Sequence, residues 1–228
     1  MAGVTGVAAT LETAGAALAP AGLMVTGAFH PAPGEAAEGI ATLCLIGAAG
    51  AAMWPAFAAG PEYADGAPDP LDRWSARVIG EAAASLGART LFPFGGPPWQ
   101  PFMAWAGRAE GAAPSPIGMM VTPARGLHAS WRGALGFSGR LDLSRMPAPG
   151  PHPCPPCAAP CRTACPVDAF GEAGYDTAAC AAHVRSAAGT ECRERGCLAR
   201  RACPASAPIA PAQAAFHLAA FVGSRPVG

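Results

Sequence analysis

Apolar residues fall in short bursts along this chain, and their period changes from burst to burst. Leu23–Phe29, Thr42–Gly47, Arg89–Phe92, Ile117–Thr122 and Ser130–Phe137 are brief runs bounded by Gly, Pro or Ser, and they read as strands. Between them, Asp69–Leu86 carries a helical period, with Leu71, Trp74, Val78 and Ala82 returning on one face. Asp69 is the predicted N-cap. Pro70 suits the first helical position, where its missing N–H costs nothing, and Gly87 supplies a left-handed stop. Further on, Asp176–Arg185 reads as a short helix capped by Asp176, and Pro211–Val222 as a closing helix with Phe216 and Ala220 on one face. Interleaved strands and helices predict an α+β fold.

The pattern breaks at Met146–Pro153, a Pro-rich stretch unsuited to a helix or a central strand. It predicts two domains, residues 1–145 and residues 151–228. With 51% hydrophobic and 13% charged residues, the chain is not of the disordered type. A formal net charge of +0 gives no field for general nucleic-acid binding. There is no lysine and no asparagine, which reads as codon bias, so abundant Ala and Gly are weak evidence of anything else. No apolar run is long enough to span a membrane, and Met1–Pro20 lacks a basic start and carries Glu12, unlike a signal peptide. A cytoplasmic protein is expected.

Cysteine changes the picture. Apart from Cys44, which sits in the apolar run Leu43–Ile46 and reads as a core thiol, the other eight of the nine cysteines lie between Cys154 and Cys203. Such clustering points to metal ligation in a reducing compartment rather than to disulfides. Cys154, Cys157, Cys161 and Cys165-Pro166 form a C-x2-C-x3-C-x3-C-P run, close to the bacterial ferredoxin pattern. Cys180, Cys192, Cys197 and Cys203-Pro204 complete eight candidate ligands. Two [4Fe–4S] clusters are expected. If fourth ligands are exchanged, one would use Cys154, Cys157, Cys161 and Cys203, the other Cys165, Cys180, Cys192 and Cys197. A zinc scaffold is the alternative. Arg193, Arg195, Arg200 and Arg201 lie among the last ligands, either tuning a cluster, docking an acidic partner or forming a solvated surface.

The four-cysteine run, the lone cysteine in Asp176-Thr-Ala-Ala-Cys180 and the segment Gly196-Cys197 to Cys203-Pro204 resemble the ferredoxin-like module of epoxyqueuosine reductase and the reductive dehalogenases. That family has a further cysteine where this chain has Arg200, a place Cys192 could fill from upstream. In the first segment, Asp69-Pro-Leu-Asp72, Gly118-Met-Met-Val-Thr-Pro123, Gly126 and Trp131-Arg-Gly133 resemble the vitamin B12-processing proteins, which implies a nitroreductase-like α+β domain and a corrinoid or flavin pocket. This chain lacks the histidine such a protein would carry near Val78.

Under these resemblances, His128, Trp131 and Arg132 are the candidate cofactor contacts. Electrons would then pass from a ferredoxin- or flavodoxin-type partner through the clusters to cobalamin or flavin, as in a cobalamin-dependent oxidoreductase. A plain electron carrier without a second cofactor is the alternative. The aromatic loop Leu91–Pro101 has no phosphate-binding glycine pattern and either walls a planar cofactor or packs on the sheet. His128 also reads as a structural residue, His30 is equally open, and His152 and His183 lie close to the cysteines.

Overall fold

Thr42–Ala48 is buried at all of its positions, as happens when a strand is covered on both faces, and the first part of the fold is built around it. The computed structural model describes residues 9–223; residues 1–8 of the Met1–Pro20 stretch and residues 224–228 lie outside it. The chain divides into two compact units, one of residues 1–110 and 130–149, the other of residues 111–129 and 150–228. The chain is α+β.

In the first unit the elements run α1 (Leu11–Leu18), β1 (Leu23–Phe29), β2 (Thr42–Ala48), α2 (Met53–Ala58), α3 (Pro61–Ala64), α4 (Pro70–Leu86), β3 (Arg89–Leu91) and α5 (Phe102–Glu110), and the unit is completed by β6 (Trp131–Phe137). Its sheet has the order β1-β2-β6-β3 and is antiparallel throughout. Gly27 faces α5, where a Cβ would meet Glu110 and Ala109, and Gly133 faces Ile79 of α4. Gly27 is in register with Leu45 and Ala134, so Gly133 lies one residue out of phase and on the opposite face. Helices α4 and α5 therefore cover opposite faces of the sheet. The N-terminal ends of α4 and α2 are joined by edge-on aromatic contacts of Phe57 with Trp54, Tyr63 and Trp74, at 5.3–5.7 Å between ring centroids.

Helix α4 begins at Pro70 and stops at Gly87, which is left-handed at φ 63°. Asp69 does not cap it through its side chain. It is itself left-handed, at φ 51°. A residue before proline is driven out of the helical region, and aspartate tolerates the left-handed one. The buried face includes Leu71, Trp74, Ser75, Ile79, Ala82 and Leu86, so Ile79 stands where Val78 was expected.

A one-residue slip shapes one end of the sheet. Ile46 pairs with Gly133 and Gly47 with Trp131, leaving Arg132 unmatched. Such a bulge re-aims its side chains. Trp131 Nε1 donates to Glu110 Oε1 at 2.7 Å, and Thr26 donates to the same carboxylate. Arg132 turns to α4 instead, donating from Nε to Ser75 Oγ at 3.0 Å and pairing with Asp72.

The second unit has little regular structure. It holds the hairpins β4 (Ala113–Pro114) with β5 (Met120–Val121) and β7 (Phe170–Gly171) with β8 (Gly174–Tyr175). Its helices are α6 (Thr177–Arg185), α7 (Thr190–Arg195), α8 (Leu198–Arg201) and α9 (Pro211–Phe221). Asp176 caps α6, accepting from the Ala179 N–H at 2.9 Å. Gly126, at φ 56°, sits so close to Ala205 and Ser206 that a Cβ would come within 2.4–2.5 Å of their backbone. Segment 111–129 is thereby fastened to the cysteine-rich chain.

The ferredoxin-like module expected for residues 151–228 is not upheld. Among the described residues no three His, Cys, Asp or Glu side chains are grouped so that they could hold a metal ion. No helix among the described residues is long and apolar enough to cross a membrane.

The Arg132 guanidinium is only 11% exposed, so removing its carboxylate leaves a charge with little water around it. Asp72→Ala is expected to lower stability by about 3 kcal/mol, the low end for such a loss because the aspartate is partly wet. Urea denaturation measures it.

Candidate functional site: two groups of four cysteines

The cysteines of the second unit are delivered by tight local turns. Cys157 N–H donates to the Cys154 carbonyl at 2.9 Å, and left-handed Ala159 leads into a single turn at Pro160–Arg162 that buries Cys161. Backbone N–H groups reach two of the sulfurs: Ala159 donates to Cys157 Sγ and Ala169 to Cys165 Sγ, both at 3.4 Å. The remaining thiols come from helices or their ends, Cys180 on α6, Cys192 on α7, Cys197 at the start of α8 and Cys203 just beyond it.

These residues collect around two small cavities of about 20 Å³ each. One is lined by Cys154, Cys157, Cys161 and Cys203, with Val121 and Leu127 against it. The other is lined by Cys165, Cys180, Cys192 and Cys197, with Val184 and Leu218. Both walls are almost wholly apolar apart from sulfur. Cys192 is buried and belongs to the second group.

Burial and neighbouring sulfur push four of these thiols, Cys154, Cys161, Cys192 and Cys197, toward the protonated form. Cys154 and Cys161 are raised by desolvation first and then by the other sulfurs of their group, Cys203 foremost. Cys192 is raised by burial, then by Cys165 and Cys180, against a bond from the Leu198 N–H. Cys197 is raised by burial, while backbone bonds from residues 199 and 200 and the charge of Arg200 pull the other way. Arg200 is half-buried and donates from Nε to the Leu127 carbonyl at 2.8 Å. Where the family named above has a cysteine, this chain thus has a pinned guanidinium that moderates the thiol beside it. Tyr175 is also raised, by burial and by its bond with Cys180, and stacks between Phe170 at 4.7 Å and Phe221 at 6.1 Å.

The expected [4Fe–4S] clusters are corrected by the same geometry. No three donors among the described residues form a metal-holding group, and the sulfurs stand round the walls of the two cavities. The iron–sulfur carrier, the zinc scaffold, the oxidoreductase built on them and the cobalamin or flavin they would have served fall with that finding. So does the resemblance that implied them. No family model, no curated protein and no solved structure matches the chain.

His128, Trp131 and Arg132 have separate surroundings. Trp131 and Arg132 belong to the first unit and turn to α5 and α4 respectively. His128 belongs to the second, where its Nδ1–H donates to the Ala207 carbonyl at 2.8 Å. In the aromatic loop, Phe92 and Phe94 stack at 5.0 Å, and the Arg132 guanidinium lies 6.0 Å from the Phe94 ring. His30 is held between the Leu141 carbonyl and Arg140, at 3.1 and 2.8 Å. His152 accepts from the Cys154 N–H, and His183 lines the second cavity. Cys44 is a core thiol pushed up to about 12 by burial. A wider cleft of about 560 Å³ lies beside Trp74 and Arg77 in the first unit, but Arg77 is already engaged by Glu62 at 2.6 and 3.0 Å.

The His128 pKa is held below its ordinary value of 6.5, by burial first and then by Arg200 and Arg201, against the Ala207 bond. The unfolded chain therefore takes up this proton at a higher pH than the folded one, and stability falls as pH drops below about 6.5. His128→Gln is expected to flatten that fall between about pH 6.5 and 5, read from urea midpoints of both proteins across that range.

Proposed function

We propose that the eight cysteines between Cys154 and Cys203 are the working residues of this protein, acting as two four-thiol groups that react with soft electrophiles. The observation that supports this is the repeated arrangement: four thiols from separated stretches line one small apolar cavity, and the chain does it twice. A single buried cysteine such as Cys44 is an inert small hydrophobe. Four around one cavity repel each other as thiolates, and burial with that repulsion favours the protonated form of Cys154, Cys161, Cys192 and Cys197, weakly nucleophilic toward solvent.

A soft electrophile changes this balance. An activated alkene adds to one sulfur and takes up the thiol proton on its neighbouring carbon, so no leaving group is needed and that sulfur drops out of the mutual repulsion. The N–H groups of Ala159 and Ala169 already point at sulfur and would steady the charge that develops. Arg200 would do the same beside Cys197. All nine cysteines are free thiols, which suits a reducing compartment, and we place the protein in the cytoplasm on that basis.

The test is cysteine alkylation of full-length protein purified without oxygen, with intact masses measured under native and denaturing conditions. The expected result is slow native alkylation of the cysteines in two groups of four, against fast alkylation under denaturing conditions. Cys161→Ala should expose Cys154, Cys157 and Cys203 to alkylation while leaving Cys165, Cys180, Cys192 and Cys197 protected. Independent alkylation of all eight at one rate would sink the proposal.

A further inference from the structure

Several arginines of this protein are engaged by carboxylates or carbonyls. Arg73 is held by Asp65, Arg77 by Glu62, Arg108 by Glu35, and Arg193 by the carbonyls of Val184 and Ser186 together with Thr190. Arg195, at the end of α7, departs from this. Its guanidinium has no hydrogen-bond or ion-pair partner among the described residues, and it lines a cleft of about 270 Å³ in the second unit.

The rest of that cleft has two characters. His128, Arg201 and Ser206 share the polar side with Arg195, while Pro208, Ile209 and Pro211 form an apolar wall. Arg201 is matched by Glu191 at 3.1 Å, while half-buried Arg200, outside the lining, is bonded to a carbonyl rather than a carboxylate. Two guanidiniums therefore line the cleft, and the acids of α7, Glu191 and Glu194, are exposed and not part of the lining. Ser206 is occupied on both sides, accepting from the Leu127 N–H at 3.0 Å and donating to the Arg200 carbonyl at 3.1 Å. The unspent donors are those of Arg195 and the outer edge of Arg201. A planar guanidinium in a cleft suits two anionic oxygens on one atom, and the proline and isoleucine wall suits an apolar body.

We propose that this cleft binds a small organic anion, its carboxylate or phosphate on Arg195 and Arg201 and its hydrocarbon against Ile209 and the prolines. The inference does not rest on the thiol sites. A nucleic-acid phosphate is disfavoured because the chain carries no net charge and the guanidiniums are confined to one cleft.

Titration calorimetry on full-length protein, with phenyl phosphate, benzoate and inorganic phosphate as probes, tests it. One saturable site is expected for phenyl phosphate or benzoate, and the tighter of the two names the head group. Arg195→Gln should weaken it about tenfold or more, the worth of a charge-assisted bond. Arg145→Gln, an exposed arginine of the first unit with the same charge change, should leave it unaltered. Arg195 is exposed at a helix end, so its replacement spares the fold, and an unchanged urea midpoint checks this. Absence of saturable binding at millimolar probe overturns the proposal, as does equal weakening by both variants. Inorganic phosphate binding as well as phenyl phosphate would remove the apolar half of it.

Discussion

Four sulfurs around one small apolar cavity tolerate one another as thiols and repel one another as thiolates, and much of the second unit follows from that constraint. The elements there are too short to form an extensive core of their own. Ile117, Val121, Leu127 and Ala199 pack with Cys161, and Val184 and Val222 pack with Cys192, so sulfur is part of what this unit buries. A protonated thiol is a good apolar filler. The same atoms become strong soft donors once the proton is lost, so packing and chemistry draw on one set of residues. The moderating contacts, N–H to sulfur at Cys157 and Cys165 and the charge of Arg200 beside Cys197, lie where sulfur is most crowded.

The first unit is ordered by a different device. A fully buried central strand needs helices on both faces, and the bulge at Arg132 sends adjacent side chains to different ones. Trp131 ties the sheet to α5 through Glu110, and Arg132 ties it to α4 through Ser75 and Asp72. Residues that stand together in sequence as an aromatic–cation pair thus serve as two separate fasteners. Their polar groups are satisfied within the unit.

Much of the secondary structure was legible because short patterns carried it. The strand at Leu23–Phe29 and the Pro70 start and Gly87 stop of α4 follow from local sterics and hydrophobic period. The Asp69 cap failed because a following proline sets the backbone before the side chain can choose. Helices α1 and α5 escaped notice because alanine in a biased composition gives little contrast between faces. Arg195 could have been singled out only weakly, since a charge run with interleaved glutamates looks the same whether its arginines are matched or spare.

By itself the sequence determined the α+β class, the main helix and strands, and the concentration of thiols into one stretch, all of which depend on near neighbours along the chain. Tertiary structure alone decided the rest. It placed residues 111–129 with the cysteine-rich unit through the close approach of Gly126 to Ser206. It also turned His128, Trp131 and Arg132 to unrelated partners and set the cysteines round two cavities with no metal-holding group among the described residues. Spacing along a chain says which donors can come near each other; whether they meet at a point or line a wall depends on the angles at which separate segments are held.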